Sequence, residues 1–440
     1  MKSLKLLTIC GATLMLVACT KDDVTTTASF EELKATQPTP VAFSTYLGDQ
    51  AVTRAGTAGS INSVANLIAK GGFGVFAYYT NGTPYSSSAK PDFMYNQSVS
   101  STDAGSTWTY SPVKYWPNET TSDSQSPAAT SSHTDYVSFF AYAPYTDPSG
   151  STGITAKSAN NAPGDPTVTY KLASPFTIDG NVDLLWGVAG ASGNSVNPNN
   201  AGTGDASQFV TAGLPLVNQT KQSIGGKVKF AFKHALASLK LTTQLSNDVV
   251  GAGGGNLPAA THVNIESVTI TSTLPLTGTL NLNNTTPDVP LWTSLTDAGS
   301  VTFNLPNDKI VSTLQGPYTS GKFGVGRDDA ENAFISTPQQ VIADDNAFIF
   351  LPNNTPGGST NATFTVTISY YVETTDAALE LGYSRVQNTI QKSISFPTTG
   401  GNQYTINMIL GLTTVKLNAQ VDPWVTGSTN AVDLPMNVAP

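Results

Sequence analysis

Along this 440-residue chain the apolar positions recur mostly with a period of two, and Gly, Asn, Ser and Pro punctuate them. In the run Val41-Ala42-Phe43-Ser44-Thr45-Tyr46-Leu47, residues Val41, Phe43, Thr45 and Leu47 share one face, which predicts a strand with one side buried. A loop from Gly48 to Ser60 follows, with a short helix expected over residues 63–70. Residues 72–79, Gly-Phe-Gly-Val-Phe-Ala-Tyr-Tyr, are apolar on both faces and read as a fully buried strand. Further strands are expected over 136–142 and 183–188. Between Gly187 and Gly226 the chain turns rich in Gly, Asn and Ser, and a domain boundary is expected there.

Beyond that stretch the alternation is cleaner. Val228, Phe230 and Phe232 face one way and Lys227, Lys229 and Lys233 the other, while Leu239 and Leu241 sit on the opposite parity. A break or bulge is therefore expected near His234. Phe364, Val366, Ile368, Tyr370 and Val372 form a regular half-buried strand. At the end, Tyr404, Ile406, Met408 and Leu410 keep even parity and Val415, Leu417, Ala419 and Val421 keep odd. The phase flips across residues 411–414, as at a turn or at a kink in one long edge element. Few helices and no βαβ alternation predict an all-β chain of two tandem β-sandwich domains, spanning residues 55–220 and 221–440.

The first residues change the picture of where such a chain resides. Lys2 and Lys5 precede an apolar run from Leu6 to Ala18, which ends in Leu16-Val17-Ala18-Cys19. A basic head, a short apolar stretch and a small residue at the cut make a secretory signal, here residues 1–18. Cysteine directly after Leu-Val-Ala is the pattern of a bacterial lipoprotein, in which Cys19 becomes the lipidated N-terminus. Acyl chains such as palmitate, buried at about 0.8 kcal/mol per methylene, would anchor it firmly. Thr20-Lys21-Asp22-Asp23 resembles the sorting signal for the outer face of the outer membrane. Residues 20–40 are polar and Thr-rich, a flexible tether.

Composition narrows the chemistry. The chain has 2 cysteines, Cys10 within the signal and Cys19, so a mature protein has no disulfide and no cysteine-based metal or redox site. Charged residues are 12% and the formal net charge is −9, with no basic stripe for nucleic acid. His133, His234 and His262 lie in dissimilar contexts, and His234 reads as a hydrogen-bonded structural residue. No zinc motif, phosphate loop or nucleophile elbow occurs. Asp328-Asp329 with Glu331, and Asp344-Asp345, lack the spacing of a calcium loop and read as solvated charge. Trp108-Thr109-Tyr110 with Tyr115-Trp116 reads as sandwich core, the alternative being a surface that stacks on sugars. No catalytic constellation, cofactor or metal site is expected.

Taken together, several of these segments resemble the fimbrillin family of type V pili. They are Val41–Tyr46 followed by Thr53-Arg54-Ala55; residues 72–79; residues 108–117, Trp-Thr-Tyr-Ser-Pro-Val-Lys-Tyr-Trp-Pro; residues 137–145, Val-Ser-Phe-Phe-Ala-Tyr-Ala-Pro-Tyr; Asp183–Gly187; and Phe232–Leu239. The order of these blocks over residues 41 to about 240 carries as much of the likeness as their wording. The ending Val421-Asp422-Pro423-Trp424 is also similar, though less specific. The resemblance implies two transthyretin-like sandwiches, export as a lipoprotein and assembly with other pilus subunits into a surface fimbria that contributes to adhesion, with a host or bacterial receptor as a further partner. It also implies an arginine-specific surface protease cutting between Arg54 and Ala55. The cut would remove residues 19–54, with the lipid and the strand Val41, Phe43, Thr45 and Leu47. A neighbour's strand would then fill the vacated groove. The candidate donor is Tyr404, Ile406, Met408, Leu410, Val415, Leu417, Ala419 and Val421, continuing to Val438. Three other readings remain open at this stage: a glycan-binding surface lipoprotein, and a tip or anchor protein of the pilus.

Overall fold

The computed structural model describes residues 39–47, 59–80, 83–117, 136–173, 176, 180–190, 211–219, 227–246, 249, 260–316, 324–327, 335, 337–342, 347–412, 414–424 and 432–433. Among these, strands dominate and the single α-helix is short, so the chain is all-β, as the period-two patterning requires. That helix, α1 (Val64–Ala69), starts where Ser63 Oγ accepts from the Asn66 backbone N–H at 3.1 Å and buries Leu67.

Four sheets form the body. In spatial order the first contains β1 (Ala42–Tyr46), β9 (Lys227–His234), β7 (Leu185–Val188), β4 (Val137–Ala143), β2 (Phe73–Tyr79) and β3 (Met94–Val99). An additional strand, β8 (Leu216–Gln219), also pairs with β4. The second runs β15 (Gln339–Gln340), β10 (Ala237–Leu245), β19 (Asn402–Leu410), β20 (Val415–Pro423) and β21 (Val432–Asp433), with β16 (Phe348–Phe350) also on β10. The third is β14 (Gly299–Leu305), β11 (Thr261–Leu274), β17 (Asn361–Thr375) and β18 (Tyr383–Pro397). The fourth is β13 (Leu291–Thr296), β12 (Thr277–Asn281), β6 (Thr167–Lys171) and β5 (Gly153–Lys157).

The continuous apolar runs of β2 and β4 follow from burial on both faces. Phe73, Val75 and Ala77 join one hydrophobic cluster with Val137, Phe139 and Ala141. Phe76, Tyr78, Phe140 and Tyr142 join a second, with Val168 and Tyr170 of the fourth sheet. The third sheet instead keeps one polar face. Along it, hydroxyl pairs such as Thr363–Ser395 (2.8 Å) and Thr365–Ser393 (2.9 Å) line up across β17 and β18, while Phe364, Val366 and Ile368 point inward.

The parity change near His234 marks a change of sheet. β9 ends at His234 in the first sheet and β10 begins at Ala237 in the second. Ala235 N–H donates to Leu184 O (2.8 Å), Gly401 N–H to Leu236 O (2.8 Å) and Trp292 Nε1–H to Ala235 O (2.9 Å), so three elements hold the crossover. The division expected at residue 220 falls between β8 and β9, two strands of the same sheet, and β6, with β5 on its other side, pairs with β12 of the later sequence. Pro38–Pro440 is one compact unit. The flip at residues 411–414 is a turn: β19 and β20 pair antiparallel from Asn402↔Pro423 to Leu410↔Val415. β19 is an interior strand, parallel to β10 on its other side, and not part of an edge.

Candidate functional site: the slot around the first strand

β1 is held on both sides. On one it runs parallel to β9, with Ala42↔Lys227, Phe43↔Val228 and onward to Tyr46↔Ala231. On the other lies the segment from Trp108 to Trp116. Val41 N–H donates to Lys114 O at 2.9 Å and Trp116 N–H to Thr39 O at 3.1 Å. Isolated bridges join Pro40 to Tyr115 and Phe43 to Trp108. Tyr110 Oη–H donates to Val41 O at 2.8 Å, and burial raises its pKa, so the phenol stays a proton donor over the physiological range. β1 therefore occupies a slot in the edge of the first sheet, with a strand as one wall and an irregular segment as the other.

The inward face is apolar as the alternation predicts. Val41, Phe43 and Leu47 are buried, and Thr45 is half-buried. Phe43 lies in a box of rings, with centroids 6.1 Å from Phe73, 5.3 Å from Tyr110, 6.3 Å from Phe139 and 6.2 Å from Phe230. At roughly 1.5–3 kcal/mol per side chain, Val41, Phe43 and Leu47 contribute on the order of 5–9 kcal/mol of burial. A slot emptied of β1 would expose that apolar surface together with the unpaired β9 edge.

The candidate donor residues lie in the second sheet. Tyr404, Ile406, Met408 and Leu410 of β19 and Val415, Leu417 and Ala419 of β20 are buried, and Val421 is half-buried. β19 is paired along both edges, whereas β20 meets β21 over only Gln420↔Asp433 and Val421↔Val432. At the end of β20, Trp424 stacks on His234, with centroids 4.0 Å apart and planes 6° from parallel. His234 Nδ1–H donates to Asp183 Oδ2 at 2.7 Å, and the same oxygen accepts from the Ile61 backbone N–H at 3.2 Å. His234 is thus the structural histidine its strand context suggested. A cleft of about 440 Å³ adjoins this stack, lined by Trp186, Trp292, Trp424 and His234.

Sequence reasoning named Phe43 and its face but missed the slot's second wall. Residues 108–116 were singled out as a motif, yet their backbone pairing with residues 39–43 leaves no periodic signal. The Asp183–His234–Trp424 contact was also missed, since its members are far apart in sequence. Trp108, Trp116, Trp292 and Trp424 are 6%, 3%, 1% and 6% exposed, so these rings pack the core and offer no flat face for a sugar. Cys19, Arg54, Ala55, His133, Val438 and the acidic pairs at 328–331 and 344–345 lie outside the described residues. His262 is buried on β11, and burial, with Arg327 next in weight, depresses its pKa to about 4. Among the described residues, no group of three or more His, Cys, Asp or Glu side chains is placed to hold a metal ion.

No protein-family model matches the chain. It is 24% identical over 443 aligned residues to fimbrium subunit Fim1C of Phocaeicola vulgatus, covering 97% of each chain. Its structure superposes on the crystal structure of a fimbrial protein from Bacteroides vulgatus with a TM-score of 0.58, at 20% identity over 88% of this chain and 100% of that one. The chain shares the fold of that protein. A fimbrilin from Porphyromonas gingivalis aligns over 89% of this chain and 99% of its own at 11% identity, with a TM-score of 0.28, too low to bear on the fold. The resemblance to fimbrillins read from the motifs is borne out by the full-length similarity to a fimbrium subunit.

Proposed function

We propose that this chain is a structural subunit of a cell-surface fimbria, exported as a lipoprotein through Cys19 and polymerised by strand exchange after cleavage between Arg54 and Ala55. The observation that carries the reading is the setting of β1. It is a short strand at the edge of the first sheet whose Phe43 lies among four aromatic rings, and Arg54 follows its last residue by eight positions. A plug of this kind keeps a sticky edge closed in the monomer, and its loss opens a template for an extended segment of a neighbour. Backbone pairing with β9 gives affinity, and the pockets of Val41, Phe43 and Leu47 select apolar residues at alternate positions. Donor and acceptor lie on different surfaces, so the contact is head-to-tail and builds a filament.

Of the candidate donor residues, those of β20 leave their own sheet most easily. Freeing β20 breaks one full ladder, whereas freeing β19 breaks two. On this reading the edge of the first sheet accepts and the last strands of the second sheet donate. The outer membrane holds the chain through lipid until the cut, and an arginine-specific protease and other subunits are its partners. The test compares wild type with Arg54→Ala on a host that assembles fimbriae. Wild-type protein recovered from fibres begins at Ala55, and the variant stays lipidated and unpolymerised. Equal fibres and equal mature size for both refute the proposal.

A further inference from the structure

Every protein with open sheets has edges to protect, and among the described residues most edge strands here are short, shifted in register or covered. Two edge strands, β15 and β21, are two residues long. β3, β5 and β13 each pair through a register shift, at Val75/Ala77, Ile154/Ala156 and Thr279/Leu280. β14 spans seven residues, and β1 is walled by the 108–116 segment. The longest edge strand is β18. It pairs with β17 over fifteen consecutive positions, Asn361↔Pro397 to Thr375↔Tyr383, with no shift. Among the described residues no strand pairs with its outer edge. Proline enters only at its last position, and its charges are Arg385 and Lys392 alone. Arg385 is already engaged, its Nε–H donating to Glu373 Oε2 at 2.7 Å. Long, regular and almost uncharged edges are the ones that take up another strand.

The side chains of β18 also carry an unmet apolar group. Its even-numbered residues face the second sheet, where Ile394 and Phe396 are buried. Val386 on the same face is 59% exposed. We propose that β18 is a homotypic contact, pairing antiparallel with β18 of a second copy about a two-fold axis at Ile390. The strand's own sequence selects this partner and register. Centring at Ile390 overlaps all fifteen residues. It sets Ile390 against Ile390 and Val386 against the partner's Ile394, which covers the exposed valine. Arg385 then faces Ser395 and Lys392 faces Asn388, so no like charges are opposed. On the outer face Thr389 meets Gln391 and Gln387 meets Ser393, extending the hydroxyl and amide ladder already present between β17 and β18. Such an isologous contact closes on itself. It joins subunits sideways, between filaments, and does not depend on exchange at the β1 slot.

The experiment uses the full chain with Cys10 and Cys19 replaced by serine. Sedimentation velocity of the otherwise wild-type protein shows a concentration-dependent dimer. Thr389→Lys with Gln391→Lys opposes lysines across the axis on the solvent face, away from the core, and weakens dimerisation by at least about tenfold. Thr389→Cys with Gln391→Cys forms an intermolecular disulfide dimer under mild oxidation, and either cysteine alone does so far less. Monomer at every concentration, a dimer indifferent to the lysines, or equal cross-linking by the single cysteines each overturn the proposal. Because the readout is dimerisation of uncut protein, it stands or falls separately from fibre formation.

Discussion

Replacing Phe43 by alanine probes the slot directly. The ring is 2% exposed and has four aromatic neighbours at 5.3–6.3 Å, none of which can close the gap without leaving its own packing. Phe→Ala in such a core costs about 3–5 kcal/mol, a large part of the roughly 5–15 kcal/mol that holds a folded domain together. Before any cut, the variant should unfold at lower urea by that amount, and Phe43→Leu should recover most of the loss. After a cut at Arg54 the same energy acts on retention of a fragment. A loss of about 3–5 kcal/mol weakens binding of the N-terminal fragment by two to three and a half orders of magnitude. Gel filtration after digestion with an arginine-specific protease should then show the fragment released from Phe43→Ala and retained by wild type at equal concentration. The remaining body, lacking residue 43, should melt identically from both. A cost below about 1 kcal/mol in the uncut chain, or a difference that survives removal of the fragment, would refute the assignment of β1 as a plug seated by this ring.

Further expectations concern the second sheet and the core. Asp183→Ala removes the acceptor of both His234 Nδ1–H and Ile61 N–H and should destabilise the chain by about 2–6 kcal/mol by thermal melting, at roughly 1–3 kcal/mol for each buried donor left without an acceptor. Trp424→Ala removes the ring stacked on His234, so amides of β20 should exchange hydrogen faster while those of β2 and β4 keep their protection. Gly187→Ala would place a Cβ 2.9 Å from Phe230 Cδ1 and 3.0 Å from Ala141 Cβ, and calorimetry should show an overpacking loss of about 1–3 kcal/mol. His262, with its pKa depressed to about 4, binds its proton less readily folded than unfolded. Its contribution is therefore complete above pH 6.5 and lost as pH falls toward 4; His262→Gln should flatten that part of a stability-against-pH curve.

Local rules were enough for much of this protein. A strand's alternation is written in consecutive residues, so the inward face of β1, the two-sided burial of β2 and β4 and the alternation of β17 could all be read before any coordinates. The parity change near His234 likewise announced a break, because residues two apart must share a face as long as a strand stays in one sheet. Partner choice is different, since pairing energy depends on backbone groups that every residue carries alike. Nothing in Val41–Leu47 says that β1 lies parallel to β9, nor in Trp108–Trp116 that this segment closes the slot from the other side. The same gap hid the interior position of β19, the pairing of β6 with β12, and the meeting of Asp183, His234 and Trp424. The amino-acid order determined which faces seek the core. Tertiary structure decided which strands meet, because burial is non-directional while a hydrogen-bonded ladder joins only the edges that topology brings together.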